Sequence, residues 1–314
     1  MIGFAIKRVL TAIPTILLVS IVVFLLIRSI PGDPAEVMLG EGADPAALAS
    51  FRGELGLDRP MPVQFLLWVE RLLHGDLGRS VFLNQPVATL VWDRLLLSGS
   101  IILVAVAIAT AIAVGAGLYA AWRQGKAGDI AVVTLATLGL SLPSFWLGLL
   151  LLLVFGIKLG WLPVVGYVAF SEDAGRAWQY LVLPVVTLVI VEVGVLTRMA
   201  RSSAVEVLRL EYITHARAKG LSEGTVLFRH ALPNAFAPTL TLIGIVVGTL
   251  LGGIAVVETV FTLPGLGRLI VEAIYARDYP VIQGCLLIIA IAYVLVNLAV
   301  DLLYPIFDPR ITLQ

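Results

Sequence analysis

The chain has 314 residues, of which 60% are hydrophobic and 13% charged, with a mean hydropathy of +1.02. Soluble domains carry roughly 25% charged residues, so a soluble fold is excluded; an all-α polytopic membrane protein is expected, with room for six spans of about 20 residues. A formal net charge of zero gives no attraction for nucleic acid, and the single cysteine, Cys285, allows no intrachain disulfide.

Residues 1–8 form a short amphipathic lead ending on Lys7 and Arg8, and residues 9–27 are the first apolar run. A secretory signal looks similar, but this run is long and Arg28-Ser29-Ile30-Pro31 offers no small-x-small cleavage site, so an uncleaved span is expected. Pro14 is expected in its first turns, where a missing N–H costs least. Residues 28–97 are polar, punctuated by glycine and proline, and too short for a large independent core. They are expected to form a lid or scaffold against the membrane face. The region opens with the turn signal PGDP at 31–34, and Asp44-Pro45 reads as an N-cap and first helical residue. Helical periodicity follows through Phe65, Leu66, Val69, Leu72 and Leu73, and a helix restarting at Pro86 feeds the second span.

Residues 98–122 and 130–156 are the second and third spans. Leu142-Pro143-Ser144 should kink the third, with the serine available to the freed carbonyls. A mixed loop over 157–180 carries Trp161, Trp178 and Tyr180, rings that suit a membrane interface. The fourth span covers 181–197, with Pro184 in its first turn, and the fifth covers 237–257. A turn and a short amphipathic helix fill 258–280 before the sixth span, 281–304. The chain thus divides into a lead and first span (1–27), an external scaffold (28–97), a five-helix core (98–304) and a tail (305–314).

One polar stretch, residues 198–233, interrupts the core and reads as helix, glycine break, helix. Residues 211–219 hold good helix formers and end on Arg217 and Lys219, charges that suit a helix C-terminus. Gly220 sits where a residue of positive φ is wanted, Ser222 can cap a second helix, and Pro233 is expected to stop it. The stretch carries six basic residues (Arg198, Arg201, Arg209, Arg217, Lys219, Arg229) and three acidic ones (Glu206, Glu211, Glu223). Such a knuckle is either a solvated loop or a part gripped from outside.

Basic residues in the short loops orient the chain. With the N-terminus inside, the cytoplasmic side holds Lys7, Arg8, Arg123, Lys126, the six of the knuckle and Arg310, and the outside holds Lys158, Arg176, Arg268 and Arg277. Eleven against four places both termini and the knuckle in the cytoplasm and residues 28–97 outside. Glu192 falls mid-way along the fourth span, where it either lines a water-filled path or stays protonated or paired between helices. Asp301 near the inner end of the sixth span reads as an anchor or a partner for a basic residue, and Glu258 as an interfacial group. Gly244, Gly248 and Gly252 form a stripe for close helix packing, or for a pore or subunit interface.

No G-x-x-x-x-G-K-[ST] sequence is present, so the chain does not hydrolyse nucleotide through a P-loop. His74, His215 and His230 lie outside the spans, and no cluster has metal-ligand spacing, so neither an intramembrane enzyme nor a metal site is expected. An ion-coupled secondary carrier using Glu192 is the rival transport class, although no inverted repeat supports it. A purely structural subunit is the remaining alternative.

The ordered motifs IPGDP (30–34), ELGLDRP (54–60), HGDLG (74–78), RMARSSAVEVL (198–208), EYITHARAKGLS (211–222), HALPNA (230–235), ETVFTLPGLG (258–267), RDYPVIQG (277–284) and VDLLYPIFDPRI (300–311) cover nearly the whole chain. In them the chain resembles the permease subunits of binding-protein-dependent ABC importers, in the branch that carries dipeptides, oligopeptides, glutathione or nickel. The knuckle resembles that family's EAA loop, E-A-A-x-x-x-G-x9-I-x-L-P. Those positions here hold Thr214, His215, Ala216, Gly220, His230, Leu232 and Pro233, so the glutamate, first alanine and isoleucine differ.

The resemblance implies a type I importer permease fold in the bacterial inner membrane. It implies that Glu211, Thr214, His215, Ala216, Arg217, Lys219, Gly220 and Leu221 form a coupling helix docking on an ATP-binding subunit. Expected partners are a second related permease, two ATP-binding cassette subunits that hold ATP and Mg, an external substrate-binding protein and the lipid bilayer; no cofactor is expected on this chain. Glu192, Gly244, Gly248 and Gly252 are then pathway candidates. Glu258, Pro264, Gly265, Gly267, Arg277 and Asp278 are candidates for an external gate or docking surface.

Overall fold

The computed structural model describes residues 2–30, 35, 36, 42 and 44–307. The expected PGDP turn at 31–34 and the tail beyond 307, with Arg310, lie outside the described residues. Among the described residues there are helices and no strand, only an isolated bridge between Arg79 and Pro86. Five helices are long and apolar enough to cross a membrane, and a sixth crossing results if one bent pair counts as a span.

Helix α1 (Ile2–Ser29) absorbs the basic lead and the first apolar run into one rod, so Pro14 lies well inside it and not in its first turns. α1 packs on the last helix and exposes Leu10, Leu17 and Leu18, a composition suited to lipid. α2 (Pro45–Leu55) begins as expected: the Asp44 carboxylate accepts the Ala46 N–H at 3.3 Å, and Gly56 closes the helix at φ 68°. α3 (Met61–Leu73) sets Phe65 and Trp68 against Phe24 of α1.

α4 (Val87–Trp122) is continuous across the expected boundary at 97/98. Its 36 residues span about 54 Å, more than an untilted crossing of a hydrocarbon layer of about 30 Å needs. α5 (Ala127–Ser141) and α6 (Ser144–Leu151) are the two arms of the third apolar segment, and they meet at 96°. Proline disfavours helical geometry in the residue before it; Leu142 is extended at φ −87°, ψ 128°, and Pro143 follows at ψ 133°. Two extended residues give a corner in place of the expected kink. Ser144 makes no side-chain hydrogen bond among the described residues; Ser141 instead donates to the Thr137 carbonyl at 2.8 Å.

α7 (Ala174–Leu208), capped by Asp173 accepting the Arg176 N–H at 3.0 Å, begins earlier and ends later than its apolar stretch. Trp178, Tyr180 and Pro184 are therefore inside the helix, and residues 198–208 extend it instead of opening a loop. Ala200, Ser203, Ala204 and Val207 stay buried along this extension, which keeps the helix in register with α4.

After α8 (Glu211–Ala218), the chain turns through residues 223–225 and a π-helical segment, Val226–Ala231, into α9 (Leu232–Gly253). Pro233 does not stop this helix. The wider π turn precedes it, and it sits at the start of the α-helical ladder, where its missing N–H is tolerated. α10 (Ala255–Val260), α11 (Leu266–Ala276) and α12 (Tyr279–Phe307) complete the chain.

The core is built from α4, α7 and α9, with Ile101, Ala105, Leu188, Leu196, Val247 and Leu250 among its buried side chains. Two satellite clusters close the ends. One joins Val87 and Val91 of α4 to Leu266, Leu269, Val281 and Cys285. The other joins Leu118 and Ala121 of α4 to Ala204, Val207, Ile213, Ala216, Val226, Ala231 and Ala235.

Candidate functional site

At the end of the bundle where α4 and α7 finish, α8 is held by two side chains. Ile213 and Ala216, three apart and so on one face, are buried in the satellite cluster of Leu118, Ala204, Val207 and Ala231. Glu211, Thr214, His215, Arg217, Lys219, Gly220 and Leu221 all project outward. The helix closes by a Schellman pair of bonds, Gly220 N–H to the Arg217 carbonyl at 2.9 Å and Leu221 N–H to the Ala216 carbonyl at 3.4 Å, with Gly220 at φ 79°. Ser222 caps the next turn through the Thr225 N–H. Arg217 grips Glu223 through two bonds of 2.9 and 3.2 Å, and the Tyr212 hydroxyl donates to the His230 carbonyl at 3.3 Å. The knuckle is thus an exposed polar face on a stiff, apolar-pinned base.

A contact not anticipated from the sequence sits about two turns before the end of α7. Arg201 of α7 donates from Nε to Oδ1 of Asp129 at 2.5 Å and from a terminal nitrogen to Oδ2 at 2.7 Å. The Gly125 N–H adds a third bond to that carboxylate at 2.9 Å, and Asp129 is 4% exposed. Arg201, read above as one of six loop charges, is therefore spent on tying the α4–α5 turn to α7. Nearby, Arg8 of α1 meets Asp301 of α12 at 3.0 Å, the basic partner expected for that aspartate.

At the opposite end, Glu258 is fully buried, not interfacial. Its carboxylate accepts the Ser98 hydroxyl at 2.5 Å and the Arg268 N–H at 2.8 Å, with the Gly267 N–H alongside. Ser98 also accepts the Leu266 N–H at 2.8 Å, so one hydroxyl ties α4 to both limbs of the 258–268 loop. Burial pushes the Glu258 carboxyl up, and the bonds from Ser98, Arg268 and Gly267 pull it down. Gly265 is required by close approach, since a Cβ there would overlap the Glu258 carboxylate.

Asp278 is likewise internal, 3% exposed, and accepts the Ser80 hydroxyl at 2.5 Å and the Phe82 N–H at 3.3 Å. Of the six residues expected on an outer docking surface, Glu258, Gly265, Gly267 and Asp278 are buried, Pro264 is half-buried, and Arg277, at φ 54°, is exposed. The four buried residues shape this end from within: the Glu258 carboxylate and Oδ2 of Asp278 are bonded to chain segments folded over them.

Glu192 is buried on α7 and makes no hydrogen bond or ion pair among the described residues. In the glycine stripe, a Cβ at Gly244 would meet Val300 at 2.7 Å and one at Gly248 would overlap the Tyr293 ring, so both sit against α12. Gly252 faces open space. The stripe is a packing surface over two of its three positions. No group of three or more metal-ligating side chains occurs among the described residues.

Residues 113–313 match the family described as the binding-protein-dependent transport system inner membrane component, and residues 1–102 match its N-terminal counterpart. The chain is 45% identical over 311 residues to a putative peptide transport system permease protein of Brucella suis, covering 99% of each. It is 41% identical over 331 residues to the dipeptide transport system permease protein of Alkalihalophilus pseudofirmus, again covering 99% of each. Identity to the glutathione transport system permease protein of Salmonella choleraesuis is 41% over 311 residues and 99% of each chain. Among solved structures, an inward-facing form of the MetNI methionine ABC transporter overlays with a TM-score of 0.56 at 19% identity, covering 70% of this chain and 96% of that one.

Proposed function

The chain belongs to the family of binding-protein-dependent transport system inner membrane components, and from that premise we propose that it forms half of the peptide path of an ATP-driven importer. A second, related permease supplies the other half, two ATP-binding cassette subunits bind ATP and Mg, and an external binding protein delivers the substrate. Di- and oligopeptides are the favoured cargo, because the relatives named above are peptide, dipeptide and glutathione permeases.

The observation that carries this reading is the knuckle. Residues 211–221 present an exposed polar face, while Ile213 and Ala216 fix its base to the ends of α4 and α7. A partner that pushes on this face moves both core helices, because the Asp129–Arg201 clamp and the apolar cluster leave little slack between them. The excess of basic residues supports a cytoplasmic knuckle, within reach of an ATPase subunit.

Gly220 tests the role. A Cβ there would meet nothing of this chain within 4 Å, so within the chain a substitution acts through its φ of 79°, and valine and asparagine, of similar size, separate that strain from bulk against a partner. Gly220→Val strains that conformation, whereas Gly220→Asn adopts it readily. In the reconstituted transporter the valine variant should hydrolyse ATP with reduced uptake per ATP, and the asparagine variant should stay coupled. Full coupling in the valine variant refutes the knuckle's role, and proton-driven uptake by the chain without ATP refutes the importer reading.

A further inference from the structure

Beside the Glu258 loop lies a cavity of about 680 Å³ at the outer end of α4. Its wall carries Arg94 and Asp93, the polar side chains of Gln85 and Ser100, and the rings of Tyr167 and Phe170. Arg94 is half-buried and makes no hydrogen bond or ion pair among the described residues. A guanidinium carries five donors in a planar fork, and holding one partly out of water without an acceptor is unfavourable unless an acceptor arrives.

The surrounding groups do not supply that acceptor. Glu258 is already taken by Ser98, Arg268 and Gly267, although the field of Arg94 reaches it. Tyr167 has its hydroxyl raised by burial and by Glu172 and lowered by Arg94, so it too lies within that field without bonding to it. Asp93 precedes Arg94 by one position on the helix, about 100° away around the axis, and lines the same cavity.

We propose that this cavity is an outer substrate vestibule in which Arg94 receives the carboxylate of a peptide on its way from the binding protein to the path. The inference rests on the peptide reading above and adds the contact that reading lacks. A guanidinium grips a carboxylate through two parallel bonds. Asp93 offers a counter-charge for a peptide ammonium, Gln85 and Ser100 can meet amide groups, and Tyr167 and Phe170 offer apolar faces for side chains. Pro264, on the loop that Glu258 and Ser98 hold, lines the same cavity, so substrate in it lies against that loop.

The test uses the complete transporter in liposomes, with loaded binding protein as the varied reactant and radiolabelled dialanine or glutathione as cargo. Losing a charge-assisted contact should lower maximal uptake by Arg94→Gln roughly 10-fold, leave the KM for loaded binding protein within about 2-fold, and let Arg94→Lys recover part of the rate. A raised KM with unchanged maximal uptake would make Arg94 a docking residue for the binding protein and overturn the proposal. Loss of a subunit from the purified complex, a parallel fall in ATP hydrolysis, or unchanged uptake in the glutamine variant would overturn it equally. Failure of the unmutated transporter to take up either cargo with ATP would instead remove the peptide reading on which it stands.

Discussion

Replacing Arg201 with methionine keeps an unbranched stem and removes the guanidinium with both its bonds to Asp129. The carboxylate then retains one donor, the Gly125 N–H, in a site where its own side chain is 5% exposed. Removing one partner of a buried pair typically costs about 3–5 kcal/mol, because the other charge is left in place without its counter-ion. Arg201 is itself 28% exposed, so water can enter beside the methionine, and the lower figure of about 3 kcal/mol applies. Asp129→Asn keeps the shape and leaves a guanidinium able to reach water, at about 1–2 kcal/mol. The two positions touch, so their effects should not add: the double variant should be less damaged than the sum by at least about 1 kcal/mol. Unfolding of the purified chain in mixed micelles by increasing detergent denaturant reads this directly, with Arg201→Met lowering the folding constant on the order of 100-fold. Equal losses for the two single variants, adding to within about 0.5 kcal/mol in the double, would refute the clamp.

Glu258→Ala strips the Ser98 hydroxyl and the Arg268 and Gly267 N–H groups of their acceptor; at about 1–3 kcal/mol per orphaned donor it should destabilise the chain more than Ser98→Ala does in the same titration. Gly248→Val forces its side chain into the Tyr293 ring and should separate α9 from α12, lowering thermal stability by more than Gly252→Val, whose site is open. The pairing of Gly220→Val with Gly220→Asn should divide uptake per ATP as backbone strain does, not as residue volume does.

Much of the helical layout was legible because the solvent writes it. Apolar runs of 18 or more residues mark the layer, and short-range signals such as Asp44-Pro45, Gly220 and Ser222 mark local ends that the structure shows as caps. Hydropathy, however, reports the edge of the apolar layer and not the end of a helix. Residues 198–208 of α7 continue past that edge because their buried face still meets α4, and nothing in their charge pattern distinguishes that from a loop. Pro143 announced a break, but the 96° corner depends on two consecutive extended residues, and Pro233 announced a stop that a π turn removed.

The polar contacts at the two ends of the bundle were the least legible, for one physical reason. Glu258 pairs with Ser98 across 160 residues, Asp278 with Ser80 across 198, and Asp129 with Arg201 across 72. Each carboxylate stands at the edge of an apolar run, where a local window reads it as solvated and only the partner's position shows it buried. The available hint was compositional: Gly265 and Gly267 follow Glu258 within nine residues, and glycines spaced so closely beside an acid allow a backbone to close over it. That closure turns an apparent surface loop into an internal latch on α4. One helical turn before Ser98 on the same helix, Arg94 makes no hydrogen bond or ion pair among the described residues, while the latch carboxylate is engaged by Ser98 of α4 on one oxygen and by the loop on the other.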